Sequence, residues 1–272
     1  MNENINIIFP NQLFEDSPLI KNHNEFILVE EFLFFNQFKF HKQKILFHRI
    51  TMKKYQQYLE SQNRRVKYIE STETESDIRN LLENLCPNIN KIEIIDPDDY
   101  YIQKRISNFC KKNMIELVVH ENPSFITKKS EINEFFRKDK KKFFQTSFYK
   151  SQRKKFNILI DQNGKPTGGD WTYDVMNREK YPKDKKPPKI EFTGVNDKLF
   201  SESINFINTN YSQNPGIIGT KFIYPTDHKS AKLWFLRFLK DRFNEFGPYE
   251  DSIVKEESFL NHSLLSPLIN SG

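Results

Sequence analysis

The sequence predicts a doubly wound α/β domain built on a parallel five-stranded sheet. Three observations lead there. Short apolar runs recur through the first 125 residues, segments of helical period separate them, and turn or charged residues close most of the runs. The first strand is read at Asn6–Phe9, stopped by Pro10, and the second at Phe26–Val29, before Glu30 and Glu31. Lys44 to Glu60 reads as a helix, with Ile45, Met52, Tyr55 and Leu59 on one face. Val66–Ile69 is a third strand, followed by a helix from Ser76, as N-cap, to Leu85. Ile92–Ile95 is a fourth, closed by Asp96-Pro97; Asp98 or Asp99 begins a helix running to Lys112, and Ile115–Val119 is a fifth strand.

Parallel sheets of this kind bind ligands beyond the carboxyl ends of their strands, where the strand order reverses. Asn11 and Gln12 after the first strand, Glu30 and Glu31 after the second and Asp96 after the fourth are the candidates there. The plainer reading is that they are turn and cap residues, and Asp96 before Pro97 fits it best. The chain has 8 glycines and none precedes Gly164. Dinucleotide fingerprints and P-loops need glycine where backbone approaches phosphate, so the domain is neither a standard NAD module nor a P-loop NTPase.

Hydrophobic content of 37% with 26 phenylalanines supplies core material despite a mean hydropathy of −0.72. No apolar run approaches the ~20 residues of a membrane span, and the N-terminus lacks a secretory signal. Two cysteines, Cys86 and Cys110, make neither a disulfide framework nor a metal cluster. A cytoplasmic protein without a membrane partner, and a monomer, is the expectation. The net charge of +6 favours an anionic partner such as nucleic acid, although AT-rich genomes also yield lysine-rich proteins.

From Phe135 to Phe156, nine basic residues interleave with seven aromatics against one acid, Asp139. Such a strip suits phosphate binding; a helix pair with phenylalanines inside and lysines in water explains it equally simply. Ile158-Leu159-Ile160 is an apolar run, Asp161 to Gly164 a turn, and Gly168-Gly169-Asp170-Trp171 a tight loop. Tyr181 to Lys189 has linker chemistry. Asp197–Thr209 and Ala231–Phe246 read as helices, the second with Leu233, Trp234, Leu236, Leu239 and Phe243 on an apolar face and ended by Gly247-Pro248. Ser263 and Ser266, beside a helix start at Pro267, suit donation to phosphate oxygens, although an ordinary capped helix is the plainer reading. The expected organisation is an α/β domain over 1–160, a connection over 161–196 and the start of a helical domain over 197–272.

The run Phe148-Tyr149-Lys150-Ser151-Gln152-Arg153-Lys154, followed by Gly168-Gly169-Asp170-Trp171-Thr172-Tyr173-Asp174 and Asn177-Arg178, resembles the deoxyribodipyrimidine photolyase-related family. Phe246 to Asp251, His262 to Pro267, Asn11 to Phe14 and His41 to Ile45 fit the same family in order. This is the prokaryotic, iron–sulfur branch of the photolyase/cryptochrome superfamily, including bacterial (6-4) photolyases. Lys150, Gln152 and Thr172-Tyr173 depart from its pattern of Arg, Met and Asn-Phe.

The resemblance implies light-driven repair of UV-damaged DNA by photoexcited flavin, with a ribityl-lumazine antenna in the α/β domain and FAD in the helical domain. It matches Tyr249, Ser263, Leu264, Leu265 and Ser266 to the opening of the FAD site, and Asn11, Gln12, Glu30 and Glu31 to the antenna region. Trp171, Asp174, Asn177 and Arg178 are expected to lock the loop, through an Asp–Arg pair and a buried indole. The family continues where this chain stops, and that continuation supplies the remaining FAD contacts and four cysteines for a [4Fe–4S] cluster. The expectation is therefore a fragment unable to repair DNA alone. A non-enzymatic antenna or nucleic-acid-binding module, or a blue-light-sensing cryptochrome, are the alternatives.

Overall fold

The computed structural model describes residues 3–192, 197–220 and 222–272, with Asp174 described in its backbone alone. The elements in order are β1 (Glu3–Ile8), β2 (Glu25–Val29), α1 (Lys42–Ser61), β3 (Val66–Ile69), α2 (Ile78–Leu85), β4 (Ile89–Ile95), α3 (Tyr100–Asn113) and β5 (Glu116–His120). There follow α4 (Lys129–Phe135), α5 (Gln145–Lys155), α6 (Lys198–Asn210) and α7 (His228–Asp241), with single turns between them. All pairings in the sheet are parallel, in the order β3-β2-β1-β4-β5. The order reverses between β1 and β4, so the crevice of such sheets lies beyond the ends of these two strands.

The chain forms two compact units. The first comprises Met1–Phe125, Glu191–Phe235 and Leu264–Gly272; the second comprises Ile126–Ile190 and Leu236–Ser263. In the first unit, alternate strand side chains feed two apolar layers. Ile8, Phe26 and Leu28 pack with Leu46, Ile50 and Leu59 of α1, while Ile5, Ile7, Ile27 and Ile92 pack with Leu81 and Ile106 of α2 and α3. Burial on both faces is what a parallel strand requires. The four side chains expected on the inner face of α1 are all buried.

Several helix boundaries differ from the expectation, α7 for example beginning at His228 rather than Ala231, and two of the differences have a visible cause. α2 starts at Ile78 with Asp77 as its cap, because Thr74–Ser76 already closes a tighter turn and the Asp77 carboxylate accepts from Arg79 N at 2.9 Å. α7 stops at Asp241: Arg242 leaves the helical region at φ −133°, and its guanidinium donates to the His262 carbonyl at 3.1 Å. Gly247 and Pro248 sit within a separate turn, Phe246–Tyr249. On α7 Trp234 is buried, but Leu233, Leu236 and Leu239 are exposed, as is Phe243 beyond it, so the expected apolar face is largely uncovered.

In the second unit, Arg153 of α5 is the organising side chain. It is buried, and its guanidinium donates to the carbonyls of Ile158 (3.2 Å), Leu159 (2.6 Å) and Trp171 (2.9 Å). One side chain thereby ties α5 to the glycine loop. The apolar run contributes a single bridge, Ile160 with Pro166. Gly168 has φ +88°, a conformation that side chains rarely adopt, and a Cβ there would also require the exposed Tyr173 hydroxyl to move aside.

Candidate functional site

The switch-point crevice between β1 and β4 is closed by protein groups. Gln12 is fully buried; its amide nitrogen donates to the carbonyls of Ile95 (3.0 Å) and Asp96 (3.2 Å), and its oxygen accepts from Phe9 N. Asn11 donates to the Pro97 carbonyl at 3.2 Å, while its own side-chain oxygen is buried without a partner. Asp96 accepts from Asp98 N at 3.0 Å, a turn contact as its place before proline predicts. These residues clamp the ends of neighbouring strands together.

Glu30 and Glu31, adjacent in sequence, meet opposite fates. The carboxylate of Glu30 accepts from Arg49 (2.9 and 3.2 Å), Tyr68 (2.7 Å), and both the amide and hydroxyl of Ser71 (2.8 Å each). Arg49 also bonds Glu70 at 2.8 Å and lies 3.5 Å over the ring of Phe206. The buried charge is thus paired and hydrogen-bonded, which is the condition for tolerating it. Glu31, equally buried, accepts one bond from Ile78 N at 3.0 Å; its other oxygen lies 3.6 Å from Arg105 and has no hydrogen bond. Burial, aided by the charge of Asp77, raises its carboxyl to about 8, so it is largely protonated near neutrality.

A cavity of about 410 Å³ opens elsewhere in the first unit, at the start of α1. Its aromatic side is built by Phe47, stacked on Phe222 with centroids 5.8 Å apart, and by Tyr224, 5.9 Å from Phe222. Its polar side carries His41, Gln43, Lys44, Ser266 and Asn270. His41 caps α1 by accepting from Gln43 N at 3.2 Å; Gly216, at φ +90°, is needed because a Cβ there would strike the His41 ring. Burial lowers the Lys44 ammonium below its ordinary range.

His48 completes the cavity. Its ring packs near Phe34, Phe35 and Phe47, its Nδ1 is buried without a partner, and burial together with the Lys44 charge depresses it to about 3. The imidazole is therefore neutral. An aromatic cavity with one orphaned ring nitrogen and a few rim donors suits a planar heterocycle with polar substituents.

Of the residues singled out from sequence, Ser266 lines this cavity and Asn11, Gln12, Glu30 and Glu31 do not. Ser266 opens a single turn, Ser266–Ile269, too short to sum a helix dipole. Leu264 adopts the left-handed φ of 57°, a strained position for a branched side chain. Ser263 and Tyr249 belong to the second unit, where Tyr249 packs 4.9 Å from Tyr181. Arg178 pairs with Asp251 at 3.3 Å; the side chain of Asp174, its expected partner, lies outside the described residues, as do residues 193–196 of the expected connection. Trp171 is half-buried rather than enclosed.

Sequence reading missed Lys44, Phe47, His48, Phe222 and Tyr224. Two signals were available: the family-matched run His41 to Ile45, which contains Lys44, and a histidine within the apolar face of α1. Both cysteines are free, and no cluster of three or more metal-ligating side chains occurs among the described residues. No helix among them is long and apolar enough to cross a membrane.

A parallel five-stranded α/β fold carrying a cavity lined with aromatic rings defines the general class. Comparison with known proteins then places the chain: it belongs to the deoxyribodipyrimidine photo-lyase-related protein family, which it matches over residues 6–222. It is 36% identical over 190 residues to an uncharacterized protein of Acanthamoeba polyphaga mimivirus, covering 66% of this chain and 96% of that protein. It is 25% identical over 239 residues to a (6-4) photolyase of Agrobacterium fabrum, covering 85% of this chain and 46% of that protein. The chain thus spans about half the length of the photolyase and nearly all of the viral relative.

Proposed function

We propose that the chain is part of a photolyase-type flavoprotein acting on UV lesions in DNA, and that its first unit is the chromophore-holding module. The observation that carries this is the cavity at the start of α1. Phe47, His48, Phe222 and Tyr224 would hold a ribityl-lumazine ring, with Lys44, Ser266 and Asn270 on its polar substituents. Bound there, the chromophore would supply absorption of blue light for transfer to a flavin. The role of the chain's own residues is to exclude water, hold the ring flat and keep His48 neutral, so that no charge sits against it. Asn11, Gln12, Glu30 and Glu31 would then act behind the antenna region by holding the strand ends together. Tyr249 and Ser263, both in the second unit, would contribute to an FAD site, while Ser266 serves the lumazine cavity.

Purified chain reconstituted with ribityl-lumazine and, separately, with FAD tests the reading. Lumazine is expected to bind with a changed fluorescence, and Lys44→Glu to lose it. FAD alone is expected to wash off, and illumination to leave (6-4) lesions unrepaired. A folded chain that binds neither chromophore would defeat the proposal. A second reading, a module without lesion chemistry of its own, is favoured by the viral relative, nearly all of which aligns with two thirds of this chain. Lumazine binding with no repair under any supplied flavin supports it.

A further inference from the structure

The basic strip of the second unit sorts into two groups. Arg137 pairs with Asp139 at 3.3 Å, Lys155 with Glu131 at 2.7 Å, Lys140 bonds the Phe135 carbonyl, and Arg153 is consumed inside the fold. Lys138, Lys141, Lys142, Lys150 and Lys154 carry no acidic partner among the described residues. Two of these, with Arg153, gather around one ring: Lys150 lies 6.0 Å, Arg153 5.3 Å and Lys154 5.1 Å from the centre of Trp171. Lys150 and Lys154 are one helical turn apart, a like-charge spacing that opposes the helix when nothing neutralises it.

The aromatics divide in the same way. Phe148 faces inward, with centroids 5.1 Å from Phe135 and 4.9 Å from Phe136. Phe143, Phe144 and Tyr149 are 53%, 64% and 45% exposed. Tyr149 adjoins the Trp171 cluster, its ring 5.8 Å from the Arg153 guanidinium. The bland explanation, phenylalanines inside and lysines in water, therefore accounts for Phe135, Phe136, Phe148 and the half-buried Phe156. It accounts in part for Phe143, 5.2 Å from Phe136, but not for Phe144 and Tyr149. Exposed rings alternating with unneutralised lysines match what a strand with unpaired bases offers, phosphates for the ammonium groups and π-faces for the rings. A duplex presents phosphates but hides those faces.

We propose that this face of α5, with Lys141 to Phe144 before it, binds a DNA strand with unpaired bases. Phosphates lie along Lys141, Lys142, Lys150 and Lys154, and bases stack on Tyr149 and Phe144. The choice of DNA over RNA rests on the photolyase-type reading; the surface itself does not.

The test is anisotropy of a labelled, undamaged oligothymidylate of about 20 nucleotides, titrated in the dark with the whole chain between about 50 and 200 mM salt. Lys150→Gln with Lys154→Gln is expected to reduce the log–log salt slope by about 1.4, roughly 0.7 for each lost phosphate contact. Tyr149→Ala is expected to weaken binding about tenfold with the slope unchanged. Lys111→Gln with Lys112→Gln, at the end of α3, removes the same charge and should change neither. Should the first pair alter the circular dichroism, Lys141→Gln with Lys142→Gln takes its place. The proposal is overturned if no salt-dependent binding occurs, if the α3 control loses as much, or if duplex is preferred and Tyr149→Ala has no effect. Dark binding by a chain that holds no chromophore supports this surface while counting against the photolyase reading; the reverse outcome overturns this surface alone.

Discussion

Around the sheet, Ile7, Ile8, Phe26 and Leu28 are wholly buried and the charge of Glu30 beneath them is paired; α4 and α5 of the second unit bury one side chain between them, Arg153. The first unit is held by apolar area, with ion pairs placed where strands end. The second has smaller ring clusters, such as Phe148 with Phe135 and Phe136, and is anchored by a guanidinium on three carbonyls with cations over rings. Apolar burial stabilises in proportion to area, at about 25 cal/mol per Å², and tolerates local adjustment. A three-carbonyl anchor is directional and has no substitute.

Arg49→Met is the strongest test of this contrast. It leaves Glu30 buried without its cation, and about 3–5 kcal/mol of stability should disappear, read as a lower urea midpoint. A loss below ~1 kcal/mol, the value of an exposed pair, would mean that the apolar layers alone hold the first unit.

Glu31→Gln should act in the opposite direction. The folded carboxyl titrates near 8 against an ordinary 4.5, so between these values the folded chain keeps a proton that the unfolded chain has released. Stability is therefore complete below the ordinary value and falls as pH rises through the window. Glutamine retains the bond from Ile78 N and cannot ionise; it should flatten this dependence and add roughly 2–4 kcal/mol at pH 8. Identical pH profiles for the two proteins would remove Glu31 as the cause.

Arg153→Lys addresses the second unit. Lysine cannot reach all three carbonyls with a planar fork, and about 2 kcal/mol of local stability should be lost, seen as faster chymotryptic cleavage after Leu159. The urea midpoint of the first unit should not move. If both change together, the two units unfold as one and the contrast between them fails.

Much of this was legible because it is local. Four-residue apolar runs bounded by Pro10, Glu30 and Asp96-Pro97 place the strands, and Asp99 caps α3 as one of the two residues expected to, accepting from Ile102 N at 2.9 Å. Asp77 was not legible as a cap, since the turn formed by Thr74–Ser76 shifts the helix start beyond Ser76. Nor was the end of α7, which depends on a carbonyl 20 residues from Arg242. The candidate site was less legible still: Ser266 was named, but besides Pro267 and Asn270 its neighbours in the cavity come from 41–48 and 222–224.

By itself, then, the sequence determined the strand–helix alternation, the absence of a glycine phosphate turn and the family motifs, all of which reside in short runs read by period and residue type. Tertiary structure decided which polar residues are consumed and which are left over. Gln12 lies 83 residues from its acceptor Ile95, and Glu30 differs from Glu31 only in what surrounds it. Arg153 and Lys154 are neighbours of like charge, one spent on three carbonyls and the other exposed beside Trp171. Burial and distance, which no local pattern encodes, make that distinction.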